Sequence, residues 1–340
     1  MLPRLAHGEQ QHSPLWTVHN LGVNLVTLEE INAAATRVAD TAVRTPLLPC
    51  DWADPDRPLW LKPENLQPIG AFKIRGAANA MARIPERDRA RGVVAYSSGN
   101  HAQAVAFVAK RFGLPATIVV PENTPAMKIA ATRAHGAEVV VVPITDREIV
   151  AQRLVAERGA TLIPPFDHPD VIAGQGTIGL EIAADLPDVA VVLTPVSGGG
   201  LASGVATAIR ALCPSARVFG VEPELAADAA ASLAAGRRVR WSAHDRARTI
   251  ADGLRAEPSE LTFAHLHKLL DGIVTVSEAE IRSAVRTLAT RARLVAEPSG
   301  AVTTAAYLHR AEELPRGRTV AIVSGGNLDP ADLAAMLAED

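Results

Sequence analysis

Short runs of valine and isoleucine alternate with helical stretches along most of this 340-residue chain. Such runs are typical of strands covered on both faces, which pair in parallel sheets with helices as crossovers. The sequence therefore predicts an α/β fold of open, twisted, mostly parallel sheets covered by helices. The predicted strands are Val93 to Tyr96, Thr117 to Val120, Val139 to Val142, Val191 to Val196, Val218 to Val221 and Val320 to Val323, and the predicted helices are Ala102 to Phe112, Ala126 to His135, Ile149 to Arg158, Ile172 to Ala184 and Ser203 to Leu212.

Turns rich in glycine and serine follow three of the predicted strands. Ligands of parallel sheets bind beyond the carboxyl ends of the strands, so these turns are candidate binding sites. In the first, Ser97 to His101, unpaired N–H groups at a helix start suit a carboxylate, although an ordinary helix cap is the alternative. The segment Ser324 to Asn327 follows the last strand, and the turn from Thr249 to Gly253 can line the same cleft.

The turn Ser197 to Leu201 contains the consecutive glycines Gly198, Gly199 and Gly200. Glycines let the backbone approach an anion closely and point several N–H groups at it, so a phosphate is the expected guest. The dinucleotide fingerprint fails because Ser203 stands at the position of its third glycine, and no Walker sequence closes the turn. The turn therefore predicts a different phosphorylated cofactor, with a tight packing turn as the alternative.

Lys73 lies between Phe72 and Ile74, shortly after Gly70, in a mostly apolar stretch. Burial disfavours the ammonium form of a lysine and leaves an amine that can condense with an aldehyde. Such an amine can hold pyridoxal phosphate (PLP) as a Schiff base. The alternative is a lysine at a helix start whose amine simply extends into water.

The composition excludes several classes of partner. A formal net charge of −3 and 4% aromatic residues argue against nucleic acid or an anionic membrane as a partner. Cys50 and Cys213 are far apart and form no CxxC motif, as expected of a reduced, cytoplasmic protein. Residues 1–20 lack the pattern of a signal peptide and are predicted to be a mobile extension, with an early start codon as the alternative.

Together these segments resemble the fold-type II PLP enzymes, specifically the serine/threonine dehydratase and serine racemase group. The resemblance extends from about Val26 to Leu328 and includes the run Val171 to Thr177 as well as the turns above. It implies a tryptophan synthase β-like fold with a large PLP-binding domain (residues 21–87 and 168–340), a small domain (88–167) and the cofactor between them. It also implies a homodimer.

The resemblance also implies a role for each cofactor residue. Lys73 would hold PLP and later remove the α-proton of the substrate, Asn100 would donate to the ring oxygen, and Ser324 would face the pyridine nitrogen. A neutral hydroxyl there makes the ring a weaker electron sink than a carboxylate would, which favours β-elimination over transamination. The implied cofactor-binding residues are Phe72, Lys73, Asn100, Ser197, Gly198, Gly199, Gly200, Leu201, Gly253, Ser324 and Asn327.

The same resemblance places the substrate. Its carboxylate would lie on the turn from Ser97 to His101, with Ser98 on the face of the cofactor opposite Lys73, as a second catalytic residue. Phe166 resembles the dehydratase pattern, whereas Arg147 lies near the position of a racemase arginine that recognises substrate. The implied substrate-binding residues are Ser97, Ser98, Gly99, Asn100, His101 and Arg147.

The segment Glu222 to Asp228 resembles the divalent-metal loop of the same group. Glu222 and Asp228 would supply carboxylates and Ala226 a backbone carbonyl, which are ligands that suit Mg²⁺ or Ca²⁺. A solvated acidic loop is the alternative.

These features predict a PLP-dependent ammonia-lyase that converts L-threonine and/or L-serine to a 2-oxo acid and ammonia. A catabolic or specialised role is expected. Serine racemase and a dehydratase of 3-hydroxyaspartate, or of a related β-hydroxy amino acid, remain open as alternatives. From a different class, a non-catalytic binder of a phosphorylated ligand remains open, although it would need neither Lys73 nor Ser324.

Overall fold

Ten strands in two sheets organise residues 23–338, which are the residues that the structure, a computed structural model, describes. The extension predicted at residues 1–20 lies outside them. The strands are β1 (Leu48–Cys50), β2 (Leu59–Pro63), β3 (Val93–Tyr96), β4 (Ala116–Pro121), β5 (Glu138–Val142), β6 (Thr161–Leu162), β7 (Val191–Pro195), β8 (Arg217–Pro223), β9 (Gly272–Val276) and β10 (Thr319–Val323).

Helices separate most of these strands, as parallel pairing requires. The helices are α1 (Leu28–Val38), α2 (Lys73–Ala82), α3 (Glu86–Arg89), α4 (Asn100–Phe112), α5 (Ala126–Ala134), α6 (Arg147–Arg158), α7 (Pro169–Asp185), α8 (Gly200–Leu212), α9 (Asp228–Ala235), α10 (Ala243–Arg246), α11 (Glu260–Leu269), α12 (Glu278–Thr287), α13 (Pro298–His309) and α14 (Pro330–Ala338). None of those in residues 23–338 combines the length and apolar character needed to cross a bilayer.

The larger sheet has six strands in the order β1-β2-β10-β7-β8-β9. All its pairs are parallel except the edge pair β1–β2. Alternate residues face opposite layers, so that Val191 and Leu193 pack into one core cluster with α12 and α13, while Val192 packs with α7 and α8 in another. This double cover explains why the strands read as continuous apolar runs.

The smaller sheet has four parallel strands in the order β5-β4-β3-β6 and is covered by α4 and α6. Its strands span residues 93–162, within the segment predicted as the small domain; the boundaries at 88 and 167 stay a prediction. All six strands predicted from valine and isoleucine runs are present. The structure adds β1, β2, β6 and β9, which those runs did not indicate.

Four buried charged side chains form a network between β2, α2 and α7. The Arg75 guanidinium contacts Glu64 (2.8 Å) and Glu181 (2.6 Å), and the Lys62 amine contacts the second oxygen of Glu181 (2.6 Å). Lys62 and Glu64 are fully buried, and Arg75 is 1% exposed. The network joins the end of β2 to α2 and α7, so each charge is neutralised by a residue from another element.

We expect Arg75→Met to lower the free energy of unfolding by about 3 to 5 kcal/mol, because it leaves the buried Glu64 carboxylate without its ion-pair partner and Glu181 with Lys62 alone. Urea unfolding followed by circular dichroism measures the change. The control is Arg316→Gln, whose ion pair with Asp56 is exposed and whose loss should cost less than about 1 kcal/mol. Equal losses in the two variants would contradict a special role for the buried network.

Candidate active site

The turn before Lys73 is hydrogen-bonded to the turn that follows β10. Gly70 has a φ of 72°, a conformation that favours glycine, and Lys73 begins α2. Next to the lysine, the Phe72 N–H donates to the Ser324 carbonyl (3.1 Å), and Ala71 forms an antiparallel bridge with Gly325. The structure therefore brings together Lys73 and Ser324, which are separated by most of the sequence.

The Lys73 side chain is half-buried, and a backbone carbonyl holds its amine. Its Nζ donates to the Pro165 carbonyl (2.7 Å), and burial lowers its pKa to about 8. Next to it, His101 bonds the Ile163 carbonyl through Nε2 (2.8 Å), and burial, followed by the charge of Lys73, lowers the His101 pKa to about 3. Lys73 thus releases its proton at a lower pH than an ordinary lysine, beside an uncharged imidazole.

The turn from Gly198 to Gly200 leads into α8 without a side-chain cap. Gly199 has a φ of 86°, and a Cβ on Gly198 would lie 2.4 Å from the Phe166 ring. The Gly200 position is also closed, because a Cβ there would lie 2.8 Å from the Phe166 Cβ. Bare backbone and uncapped N–H groups at the start of a 13-residue helix fit an anion such as a phosphate.

The turn from Ser97 to His101 leads into α4, which also begins without a side-chain cap. Instead of capping the helix, the Ser97 hydroxyl accepts from the Gly99 N–H (3.2 Å). A Cβ on Gly99 would meet nothing within 4 Å, so open space adjoins the turn. The first N–H groups of α4 therefore remain available to a second anion, such as a carboxylate.

Asn100 joins this turn to residues distant in sequence. Its Nδ2 donates to the Glu297 carboxyl group (2.6 Å), and its Oδ1 accepts from the Asn327 amide (2.8 Å). Sequence reasoning missed Glu297, which directly precedes Pro298 at the start of α13. An acidic residue among the apolar neighbours Ala296 and Pro298 was the available signal.

Ser324 and Gly253 are linked through one residue of α13. The Ser324 hydroxyl, 4% exposed, donates to the Ser299 carbonyl (3.4 Å), and the Gly253 N–H donates to the Ser299 hydroxyl (2.9 Å). The Ser197 hydroxyl accepts from the Ala256 N–H (3.0 Å), which fixes the glycine turn to the same loop.

Three of the predicted residues have fewer partners. Within residues 23–338 the Ser98 hydroxyl has no side-chain partner, and Leu201 is buried in the first turn of α8. Arg147 begins α6 with its guanidinium 42% exposed and 3.8 Å from Glu148. Burial raises the pKa of Tyr96, which directly precedes the turn from Ser97 to His101, and the charge of Arg147 acts against this rise, but no contact joins Arg147 to Lys73.

The predicted metal loop brings two carboxyl groups together. Burial, and then the charge of Asp228, raises the pKa of Glu222 well above its usual value, and burial raises that of Asp228 to about 6. The Asp228 Oδ2 is buried without a hydrogen-bond partner. No group of three or more Asp, Glu, His or Cys side chains suited to a metal occurs in the described residues, so a cation here would rest on these two carboxylates and the buried Ala226 carbonyl.

Comparison with known proteins adds independent information. A family model described as pyridoxal-phosphate dependent enzyme matches residues 38–325. An L-threo-3-hydroxyaspartate ammonia-lyase from Saccharomyces cerevisiae is 41% identical, covering 92% of this chain and 96% of the relative. An L-threonine ammonia-lyase from Thermotoga maritima is 46% identical, covering 90% and 76%. The structure of maize serine racemase matches with a TM-score of 0.88 at 37% identity, covering 92% and 97%.

We expect Gly198→Ala to weaken PLP binding by about tenfold to hundredfold, because its Cβ would displace the turn from Phe166. Titration of the purified protein with PLP, followed by visible absorbance, measures the affinity. Gly272→Ala is the matched control, since that Cβ would make ordinary contact with Phe219 (3.6 Å) on the edge strand β9 of the larger sheet. Unchanged affinity in Gly198→Ala would argue against the glycine turn as the phosphate site.

Proposed function

Since this chain belongs to the pyridoxal-phosphate dependent enzyme family, we propose that it is an ammonia-lyase for L-threonine and/or L-serine. The products are a 2-oxo acid and ammonia. The observation that carries the proposal is the half-buried Lys73, whose neighbour Phe72 is hydrogen-bonded to Ser324, in a site with two uncapped helix starts. A relative that is 46% identical is named L-threonine ammonia-lyase, which supports this substrate class.

The residues present fit PLP. Lys73 supplies the amine for its aldehyde, the turn from Gly198 to Leu201 receives its phosphate, Asn100 serves its ring oxygen and Ser324 its ring nitrogen. When bound, PLP supplies an electron sink for the charge that develops at the substrate α-carbon. The protein's part is to hold substrate and proton in place around that sink.

Lys73 acts as the base that takes the α-proton. Burial lowers its pKa to about 8, so about a tenth of the lysine is free amine at pH 7, far more than for an ordinary lysine. The Pro165 carbonyl, at 2.7 Å, offers the protonated lysine a fixed partner. His101 remains neutral, so it adds no positive charge that would depress the basicity of Lys73 further.

The uncapped start of α4 binds the substrate carboxylate. The turn from Ser97 to His101 has two functions. Its N–H groups orient the carboxylate, and the Ser98 hydroxyl remains available on the face of the cofactor opposite Lys73. The carboxylate carries the negative charge that the partial positive charge of a helix start favours.

Ser324 directs the chemistry towards elimination. Its neutral hydroxyl would release the Ser299 carbonyl (3.4 Å) to donate to an unprotonated ring nitrogen, and it cannot carry the formal charge that would stabilise a protonated one. The electron pair left at the α-carbon is therefore best discharged by loss of the β-hydroxyl as water. Hydrolysis of the resulting enamine consumes one water and releases ammonia with the 2-oxo acid.

One further substrate and one further reaction have specific support. The Saccharomyces cerevisiae relative is named for L-threo-3-hydroxyaspartate, and the maize structure is a serine racemase. For an acidic side chain, Arg147 is the candidate partner, because its guanidinium is exposed and its charge acts on Tyr96, which precedes the turn from Ser97 to His101. A homodimer and a cytoplasmic location stay predictions.

We expect the wild-type enzyme to be yellow and to release keto acid from L-threonine or L-serine, and Lys73→Ala to lose both properties. The loss of activity should be about a thousandfold or more, because one residue supplies linkage and base. The assay compares L-threonine, L-serine, D-serine and both 3-hydroxyaspartate diastereomers, with chiral analysis of residual serine. Lys110→Ala, an exposed lysine of α4, is the control.

The outcomes separate the candidate functions. If keto acid forms from 3-hydroxyaspartate alone, that amino acid is the substrate instead of L-threonine and L-serine. If D-serine forms from L-serine without keto acid, the enzyme is a racemase. A colourless protein whose Lys73→Ala variant binds phosphorylated ligand normally would overturn the enzyme assignment.

The loop from Glu222 to Asp228 is proposed as a structural or activating site for Mg²⁺ or Ca²⁺. Two buried carboxyl groups with raised pKa values repel each other when both are ionised, and a cation would relieve this repulsion. The Asp228 Oδ2 without a partner is the atom that best fits such a ligand role.

We expect Mg²⁺ or Ca²⁺ at a hundred times its Kd to stabilise the protein by about 2.7 kcal/mol, seen as a rise in Tm. Asp228→Asn should abolish this rise, because it removes a ligand and its charge. Glu224→Gln removes a charge from the same loop outside the proposed ligand set and should retain the effect. The absence of a metal-dependent Tm in the wild type would refute the metal site.

A further inference from the structure

A chain of hydrogen bonds fixes the orientation of the Asn100 side-chain amide. The Asn327 Nδ2 donates both to the Ile69 carbonyl (2.8 Å) and to the Asn100 Oδ1 (2.8 Å). Because the Ile69 carbonyl can only accept, the nitrogen of Asn327 must lie on this side. The oxygen of Asn100 therefore faces Asn327, and its nitrogen faces Glu297 at 2.6 Å.

The acceptor at the end of this chain is unusual for its surroundings. The Glu297 side chain belongs to a residue that is only 6% exposed, and its N–H donates to the Gly325 carbonyl (3.1 Å). A Cβ on Gly325 would lie 2.2 Å from the Glu297 Oε1, so only glycine leaves room for the carboxyl group. The carboxyl group is thus built into the wall of the site, in contact with Asn100.

We propose that Glu297 is a positioning residue for Asn100. Its carboxyl group accepts one hydrogen of the Asn100 amide nitrogen, which leaves the second hydrogen for the ring oxygen of the cofactor. The charge on the Glu297 carboxyl group also acts on that oxygen. This inference rests on the proposed binding of PLP at Lys73. It assigns a role to a residue that the motifs around Lys73 and the glycine turns did not include.

The charged groups around Glu297 indicate which protonation state it adopts. Burial, and then the negative charge of Asp252, raises its pKa to about 8. Opposing this, the Asn100 amide, the Lys128 ammonium and the Asn327 backbone N–H favour the carboxylate. Lys128 and Asp252 form an ion pair at 2.7 Å, so the two charges largely offset each other. At pH 7 Glu297 is mainly neutral, and it becomes a carboxylate as the pH rises through about 8.

The consequence is a link between pH and the cofactor. A neutral Glu297 accepts from Asn100 without adding charge, so a phenolate-like ring oxygen is undisturbed. Ionised Glu297 places a negative charge one amide group away from that oxygen and disfavours its anionic form. The visible spectrum of the bound cofactor should therefore contain a transition that belongs to Glu297 rather than to the lysine linkage itself.

The test is a pH titration of the PLP-loaded full-length enzyme by visible absorbance and by infrared difference spectroscopy. In the wild type we expect a spectral transition near pH 8, accompanied by loss of a protonated-carboxyl stretching band. Glu297→Gln, which can still accept from Asn100 but cannot ionise, should keep the yellow colour and lose both signals. Glu297→Leu removes the acceptor and should weaken PLP binding about tenfold.

Two surface variants should shift the pH of the transition in opposite directions, which a purely structural role of Glu297 would not produce. Asp252→Asn removes the charge that raises the pKa of Glu297 and should move the transition to lower pH, whereas Lys128→Gln should move it to higher pH. An unchanged transition in Glu297→Gln would overturn this inference while leaving the PLP assignment intact. A wild type that never becomes yellow would instead overturn the proposed function.

Discussion

The position of Lys73 depends on the buried charge network that begins two residues further along α2. Arg75 contacts Glu64, which follows β2, and Glu181 on α7, while Lys62 contacts the other oxygen of Glu181. Charges without water tolerate few arrangements, since any shift leaves one of them uncompensated. Contacts with Glu64 and Glu181 therefore fix the start of α2, and with it the backbone position of Lys73.

Burial then sets the charge state of the site in a consistent direction. It lowers the pKa of Lys73 and His101 and raises that of Glu297, so the basic groups tend to lose protons and the acidic group to keep one. At neutral pH His101 and Glu297 are therefore mainly uncharged, whereas Lys73 keeps most of its positive charge. The uncapped starts of α4 and α8 add positive potential, which suits the carboxylate of an amino acid and the phosphate of the cofactor.

The sequence predicted those parts of the fold whose cause is local. The fold class and family are confirmed by the parallel sheets and by the match to residues 38–325. The run Val93–Tyr96 has the predicted bounds because its apolar pattern is complete within four residues. In contrast, β2 contains Lys62, whose amine is buried against the Thr45 carbonyl and the carboxylate of Glu181, 119 residues away. No local pattern carries that information.

The site shows the same division. Glycine turns and Lys73 were visible in the sequence because backbone geometry and an apolar setting are local requirements, although the roles assigned to them stay predictions. Glu297 was not visible, because a single acidic residue gains meaning only from Asn100, which lies 197 positions earlier. Its pKa depends on the enclosure formed by four separate segments rather than on its neighbours in the chain.

The strand order of the larger sheet has a consequence for biosynthesis. β10, close to the end of the chain, lies between β2 and β7 in the interior of the sheet. A ribosome therefore releases both neighbours long before the strand that joins them, and their facing edges stay unsatisfied in the nascent polypeptide. The pocket around the lysine therefore cannot close before β10 has been translated, and a chain terminated ahead of β10 would be inactive and prone to aggregation.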